Sequence, residues 1–350
     1  MKHKGTWRQP GVMAALTAAM LFGAGTPLAK WLLSEISPWL LAALLYLGSG
    51  LGLSLYRIVR RSPRAKLAAG EWPWLLGAIL AGGVIGPVLL MFGLTKMPAS
   101  GVSLLLNAEG VFTALLACFA FRENFDRRIA LGMALIAAGG VSLSWTGRLA
   151  TGVPWSSLAI VGACLAWAID NNLTRKVSAG DPVQIAMLKG LVAGSVNTGM
   201  ALALGAKLPS ASSLLATSVV GFFGYGVSLT LFVLALRHIG TARTGAYFSI
   251  APFVGAAISI LFLGDMLTIG FIAAAVLMAL GVWLHLTERH GHEHRHEPME
   301  HEHLHHHDEH HQHVHGPDNP PGEPHTHRHR HDELVHTHPH YPDIHHRHVH

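Results

Sequence analysis

Ser100–Phe121 reads SGVSLLLNAEGVFTALLACFAF, an apolar run with one carboxylic acid, Glu109, near its middle. As an α-helix it would be about 33 Å long, enough to cross the roughly 30 Å hydrocarbon core of a bilayer. An acid at that depth costs roughly 2.5–3.5 kcal/mol on insertion scales, so such residues face a bundle interior or a water-filled cavity and mark an ion or substrate path. The stretch therefore points to a membrane transporter built around such a cavity. The competing reading is structural, a protonated Glu109 hydrogen-bonded to a neighbouring helix.

Composition agrees with a membrane body. Half of the 350 residues are apolar and 13% are charged, which lies outside ordinary soluble composition. The net charge of +5 splits at His290, being +12 before it and −7 from it onward. The basic excess lies in short loops, which argues for membrane orientation and against nucleic-acid binding. Cys118 and Cys164 both fall inside apolar runs, so neither a disulfide framework nor a thiolate metal site is expected.

Runs of membrane-crossing length number ten, at 11–33, 38–57, 72–94, 100–121, 128–146, 154–174, 183–204, 213–236, 243–263 and 267–286. Lys2, Lys4 and Arg8 precede the first run, and no small-residue cleavage site follows a short apolar core. The first run is therefore read as a retained span. With the N-terminus inside, sixteen Lys and Arg residues fall in inner segments, and four, Lys30, Lys96, Arg148 and Lys207, in outer ones. That positive-inside bias predicts both termini in the cytoplasm, with a bacterial inner membrane as the expected location. Trp31, Trp39, Trp72, Trp74, Trp145, Trp155 and Trp283 sit near span ends and read as interfacial anchors.

Sliding the chain along itself until Gly48/Gly52 lie on Gly190/Gly194 also lays Gly82/Gly86 on Gly224/Ser228, Glu123 on Asp265 and Gly139 on Gly281. Small residues at that spacing let helix backbones approach, so a packing scheme repeats. At the same offset Arg122, Arg127 and Arg128 fall on Gly264, Ile269 and Gly270, while Thr95 and Gly101 fall on Arg237 and Arg243. Basic residues have moved to the opposite loop in each half, as expected when five spans are duplicated and the copy is inverted. The expected division is 1–146 and 147–289 for the two repeats and 290–350 for a tail.

Two five-helix halves, an acid closing each fourth helix (Glu123, Asp265) and a late glycine in each fifth (Gly139, Gly281) resemble the EamA branch of the drug/metabolite transporter superfamily. The resemblance covers roughly residues 10–287. It implies an all-α integral membrane fold, a ten-helix inverted repeat whose central cavity opens alternately to each side. It also implies outward movement of small metabolites, amino acids or drugs without nucleotide hydrolysis. The family's helix-four proline is matched by Pro252 in the second half and replaced by Gly110, beside Glu109, in the first. A basic residue often seen in the second helix of each half is matched by Lys189 in one half and replaced by Tyr46 in the other.

The candidate transport cavity gathers the polar residues of the spans: Asn107 and Glu109 on span four, Asp170, Asn171 and Asn172 near the end of span six, Lys189 and Asn197 on span seven. Carboxylates and amide oxygens could bind a divalent cation or exchange it for protons. Lys189 could equally neutralise Glu109 or Asp170, or hold a substrate carboxylate. Pro27, Pro87 and Pro252 interrupt spans one, three and nine and are candidate hinges, since each removes a backbone hydrogen bond.

From His290 to His350 more than a third of the positions are histidine, mixed with acids. Such a segment cannot bury a core and is expected to be disordered without ligand. Its candidate metal ligands are His292, His294, His296, His301, His303, His305, His306, His307, His310, His311, His313 and His315, and, beyond GPDNPPGEP, His325, His327, His329, His331, His336, His338, His340, His345, His346, His348 and His350. Imidazole suits zinc, nickel and cobalt, and that affinity should fall as the ring is protonated.

Three functions stay open. The first is a secondary transporter exporting nickel, cobalt or zinc by proton exchange, with the tail collecting or sensing metal. The second is a metabolite or amino-acid exporter with a metal-responsive tail. The third is a membrane-bound metal sensor or store. No enzyme is expected, because no phosphate loop, HExxH or nucleophile arrangement is present. No cofactor is required beyond metal on the tail. The expected partners are the bilayer, a small molecule or metal ion as substrate and, among the open assemblies, a second copy in a homodimer.

Overall fold

The computed structural model describes residues 10–61, 67, 69–121, 127–144, 155–177, 180–286, 291–296, 299–305, 325–331 and 334–339. They belong to two compact units, Met1–Glu288 and Arg289–His350. The first is entirely helical among the described residues: α1 (Pro10–Leu32), α2 (Pro38–Arg60), α3 (Trp72–Ala78), α4 (Gly86–Lys96), α5 (Ala99–Leu105), α6 (Ala108–Phe121), α7 (Arg127–Ser144), α8 (Trp155–Thr174), α9 (Pro182–Ala203), α10 (Ala211–Val220), α11 (Ser228–Phe248), α12 (Ala251–Leu263) and α13 (Ile269–Leu286). Among the described residues six helical runs are long and apolar enough to cross a membrane: Pro10–Leu32, Pro38–Arg60, Ala69–Lys96, Ala99–Leu116, Pro182–Ala203 and Ala211–Ala235.

Local chemistry sets several of these boundaries. Pro38 and Pro182 open α2 and α9 where a missing N–H costs nothing. The Asp181 carboxylate accepts from Val183 N and caps α9. The same carboxylate pairs with Arg57 of α2. Two irregularities recur at one spacing. Ile79–Ile85 joins α3 to α4 as a π-helical segment, and Gly221–Val227 joins α10 to α11 as another. The offset between them is the one that lays Gly48 on Gly190. The chain also breaks between α5 and α6 at Leu106–Asn107 and between α11 and α12 at Ser249–Ile250. Span four is thus two helices where the sequence suggested one. Pro252 falls in the first turn of α12, after a break, whereas Pro87, at the start of α4, lies within the continuous helical run Ala69–Lys96 directly after the π segment, and Pro27 lies inside α1.

Helix α11 conceals a reversal. Its Phe232 and Phe248 rings lie 4.8 Å apart, whereas straight helix between those positions would part them by about 24 Å. The chain folds back in the stretch where the sequence places the connection between spans eight and nine.

Close backbone approach holds the centre together. α2 and α9 meet at Gly50 and Gly190, where a Cβ on Gly190 would stand 2.5 Å from Gly50 N. On the same helix a Cβ at Gly194 would meet Leu47 N at 2.6 Å. Around this contact Leu40, Leu41, Leu45, Leu90, Met91, Leu94 and Ile160 form the fully buried core.

The tail differs from the disordered segment that its composition predicts. It contains β1 (Gly291–His296), β2 (Met299–His305), β3 (His325–His331) and β4 (Leu334–Pro339), paired antiparallel as β1–β4 and β2–β3. The H-x-H repeat has the period of a strand, and the register sets Glu300 and Glu302 across from Arg330 and Arg328, and His301 and His303 across from His329 and His327. Composition does not register that alternation. His306, His307, His310, His311, His313, His315, His340, His345, His346, His348 and His350 lie outside the described residues.

Gly190→Ala should destabilise the detergent-solubilised protein by about 1–3 kcal/mol through overpacking against α2. Gly199→Ala, on the same helix with nothing within 4 Å, should be neutral or stabilising by up to about 1 kcal/mol. Thermal unfolding of the two variants side by side checks this.

Candidate functional site

A cavity, partly open to solvent, lies among α1, α2, α6, α8, α9, the second π segment and α11. Of the residues that the sequence nominates, Glu109, Asp170, Asn171 and Lys189 line it.

Lys189 lies on α9 and is 2% exposed. Its Nζ donates to Asp170 Oδ1 at 2.5 Å, Asp170 Oδ2 at 2.6 Å and Thr174 Oγ1 at 3.3 Å. Thr174 in turn donates to Asp170 Oδ1 at 2.8 Å. An ammonium has three donors, and all three are engaged. Both charges are therefore compensated within the pair, the condition for burying them. Of the two partners that the sequence leaves open for Lys189, the structure selects Asp170.

Room for this pair comes from the first π segment. A Cβ built on Gly82 would run into the Asp170 carboxyl group, and one on Gly86 would stand 2.9 Å from Trp167 Nε1. The Gly82 carbonyl accepts from Tyr46 Oη at 2.7 Å and from Trp167 Nε1 at 2.9 Å. The Gly83 carbonyl accepts from Asn197 Nδ2 at 3.1 Å. A π turn disturbs the i→i−4 ladder and is often found at functional sites; here α2, α8 and α9 each send a side chain to its carbonyls.

Glu109 stands in the first turn of α6, just past the break at Leu106–Asn107. Its Oε1 accepts from Asn171 Nδ2 at 2.8 Å. An acid in a first helical turn meets the positive end of the helix dipole. The chain break thus lowers the cost of an acid that a continuous helix would have carried at its centre.

Three nominated amides do not line the cavity. Asn107 is buried, its Nδ2 donating to Leu104 O at 3.0 Å across the α5–α6 break. Asn172 donates to Ala168 O at 2.9 Å and Thr113 O at 3.4 Å. Asn197 holds the π segment. All three bond backbone carbonyls, Asn107 and Asn197 at irregular points and Asn172 within α8 and across to α6, and none contributes to the cavity wall. The proline hinges likewise lie outside the lining.

The residues that sequence reasoning missed are aromatic: Phe22, Tyr46, Trp167, Tyr225, Phe232 and Phe248 all line the cavity. Their rings form a connected set, with centroids 6.0 Å apart for Phe22–Trp167, 5.3 Å for Phe22–Phe248 and 5.5 Å for Tyr46–Tyr225. The available signal was position: Trp167 and Tyr46 lie inside spans, away from the ends where membrane proteins place such rings. Among the described residues, no group of three or more His, Cys, Asp or Glu is arranged to hold a metal ion.

Residues 9–145 and 154–287 match the EamA-like transporter family. The chain is 28% identical over 292 residues to an uncharacterized transporter of Methanothermobacter thermautotrophicus, covering 78% of this chain and 85% of that one. It is 26% identical over 207 residues to a probable amino-acid metabolite efflux pump of Salmonella typhimurium, covering 54% and 68%. It is 25% identical over 264 residues to the uncharacterized inner membrane transporter YedA of Escherichia coli, covering 71% and 83%. A solved crystal structure superposes with a TM-score of 0.60 at 16% identity, covering 78% of this chain and 95% of that one.

Lys189→Met should destabilise by about 3–5 kcal/mol, because it leaves Asp170 buried without its partner. The double variant Lys189→Met/Asp170→Leu should recover most of that loss. Melting temperatures of the single and double variants in one detergent check the coupling.

Proposed function

The chain belongs to the EamA-like transporter family, and from that premise we propose that it is a secondary-active exporter of a small organic metabolite. In this reading ten spans form two inverted five-helix repeats, both termini lie in the cytoplasm, and Glu109 binds substrate and proton alternately. The observation that carries it is a cavity walled by six aromatic rings around one acid, Glu109, that no base among the described lining residues pairs with. Apolar walls with a few placed polar groups are what small organic ligands use. The efflux-pump name of the Salmonella relative supports the same class. The two π segments, at matching places in the two halves, support the duplication.

A second reading, export of zinc, nickel or cobalt, draws on the tail. Its H-x-H repeats suit borderline divalent metals, and on either reading we assign the tail to metal binding. As a pore for such ions the cavity is poor, because Asp170 is committed to Lys189 and Glu109 alone remains. The tail therefore fits metal buffering or regulation better than delivery.

Sealed proteoliposomes with an imposed pH gradient test the proposal, using full-length protein, a chain ending at Arg289, and Glu109→Gln. Proton-driven counterflow of amino acids or amines is expected in the first two and at least about tenfold less in the third. Movement of zinc, nickel or cobalt that Glu109→Gln abolishes would replace the organic reading with the metal one. The two proteins that keep the tail should retain zinc at neutral pH and the one ending at Arg289 should not, and the retained zinc should be released on acidification toward about pH 5, as imidazoles protonate.

A further inference from the structure

Resting on the transport reading of this cavity, we infer that the substrate is a monovalent organic cation with an aromatic or apolar body, an amine in preference to an amino acid or an organic anion. Among the described residues the ionisable groups in the wall are Glu109, Asp170 and Lys189, besides the two tyrosines. Lys189 and Asp170 cancel each other, which leaves one formal negative charge, that of Glu109.

The hydrogen-bond inventory points the same way. An anion entering the cavity needs donors, above all a charged one, and Lys189 with most of the neutral donors of the wall is already engaged. All three Lys189 protons lie on Asp170 and Thr174. Tyr46 and Trp167 donate to Gly82 O, Asn171 donates to Glu109, and Ser228 donates to Ala18 O at 2.9 Å. The hydroxyls of Tyr225 and Ser49 also face the cavity and can donate or accept, but neither carries charge, and the remaining charged group is the acceptor Glu109. To have its charge compensated, a substrate carboxylate would have to take Lys189 from Asp170 and leave that acid buried and unpaired.

The rings complete the argument. Aromatic faces attract a cation within about 6 Å of the centroid, most strongly when the site is desolvated. Glu109 and the six rings line one cavity, and neighbouring rings stand 4.8 to 6.0 Å apart, so an organic cation held there meets aromatic walls. A divalent metal gains less, since one carboxylate and a set of rings cannot replace its hydration shell.

Three probes share one phenyl body and differ in charge: phenethylamine, phenylalanine and 3-phenylpropionate. Calorimetric titration of each into purified full-length protein should place phenethylamine at least about tenfold tighter than 3-phenylpropionate, with phenylalanine between them. Glu109→Gln should abolish the preference, while Glu109→Asp, which keeps the charge, should retain it and controls for damage to the fold. Equal or tighter binding of phenylalanine or 3-phenylpropionate, binding of none of the three, or a preference surviving in Glu109→Gln overturns the inference. Counterflow in proteoliposomes separates the two levels. Proton-coupled movement of phenylalanine without amine preference removes the charge argument alone, and zinc movement with no organic movement removes the transport reading as well.

Discussion

The buried ion pair between Lys189 and Asp170 is the contact on which the rest of the centre depends. Two charges 2.5 Å apart in a largely apolar body are tolerated only when every donor and acceptor is answered. That requirement propagates outward. Asp170 fits because Gly82 has no side chain; Gly82 is held because Tyr46 and Trp167 both bond its carbonyl; its neighbour Gly83 is held by Asn197. Four helical elements, α2, the first π segment, α8 and α9, are thereby fixed around one salt bridge.

The scaffold is repeated but its chemistry is not. The π segments and the helix breaks recur in corresponding places of the two halves. At the offset that relates the π segments, however, Glu109, Asp170 and Lys189 fall on Ala251, Leu28 and Leu47. A second buried pair would bring a second desolvation cost and a second charged centre. The apolar counterparts leave one polar locus, placed where α6 begins. The second half contributes rings instead: Tyr225, Phe232 and Phe248.

What was legible in the sequence follows from what a bilayer penalises. Glu109, Asp170 and Lys189 are visible because ionisable residues in apolar runs are costly, and all three line one cavity. Their pairing was not legible, since run length and hydropathy fix where a helix lies and not how it is rotated against its neighbours. Asn107, Asn172 and Asn197 carry a weaker signal: an amide in a span serves equally well to satisfy a backbone carbonyl, which is what these three do. The six rings give almost none, because an apolar ring suits lipid as well as a cavity wall. The fold-back inside α11 was visible only as a gap between apolar runs, and the irregularity that recurs most regularly, the π segment, leaves no mark on hydropathy.

Tail and cavity ask different things of a cation. Imidazoles coordinate through lone pairs and reward an ion that gives up water for nitrogen. Aromatic faces act through their quadrupole and reward a charge that holds its water weakly. A histidine-rich tail therefore carries no weight for the cargo of a pore walled by rings. The cavity has to be read from its own charges, and there Lys189 is decisive. Were it unpaired, it would make the centre a receptor for anions; bound to Asp170, it withdraws both charges and leaves Glu109 as the group on which, in the proposed transport cycle, a substrate and a proton would compete.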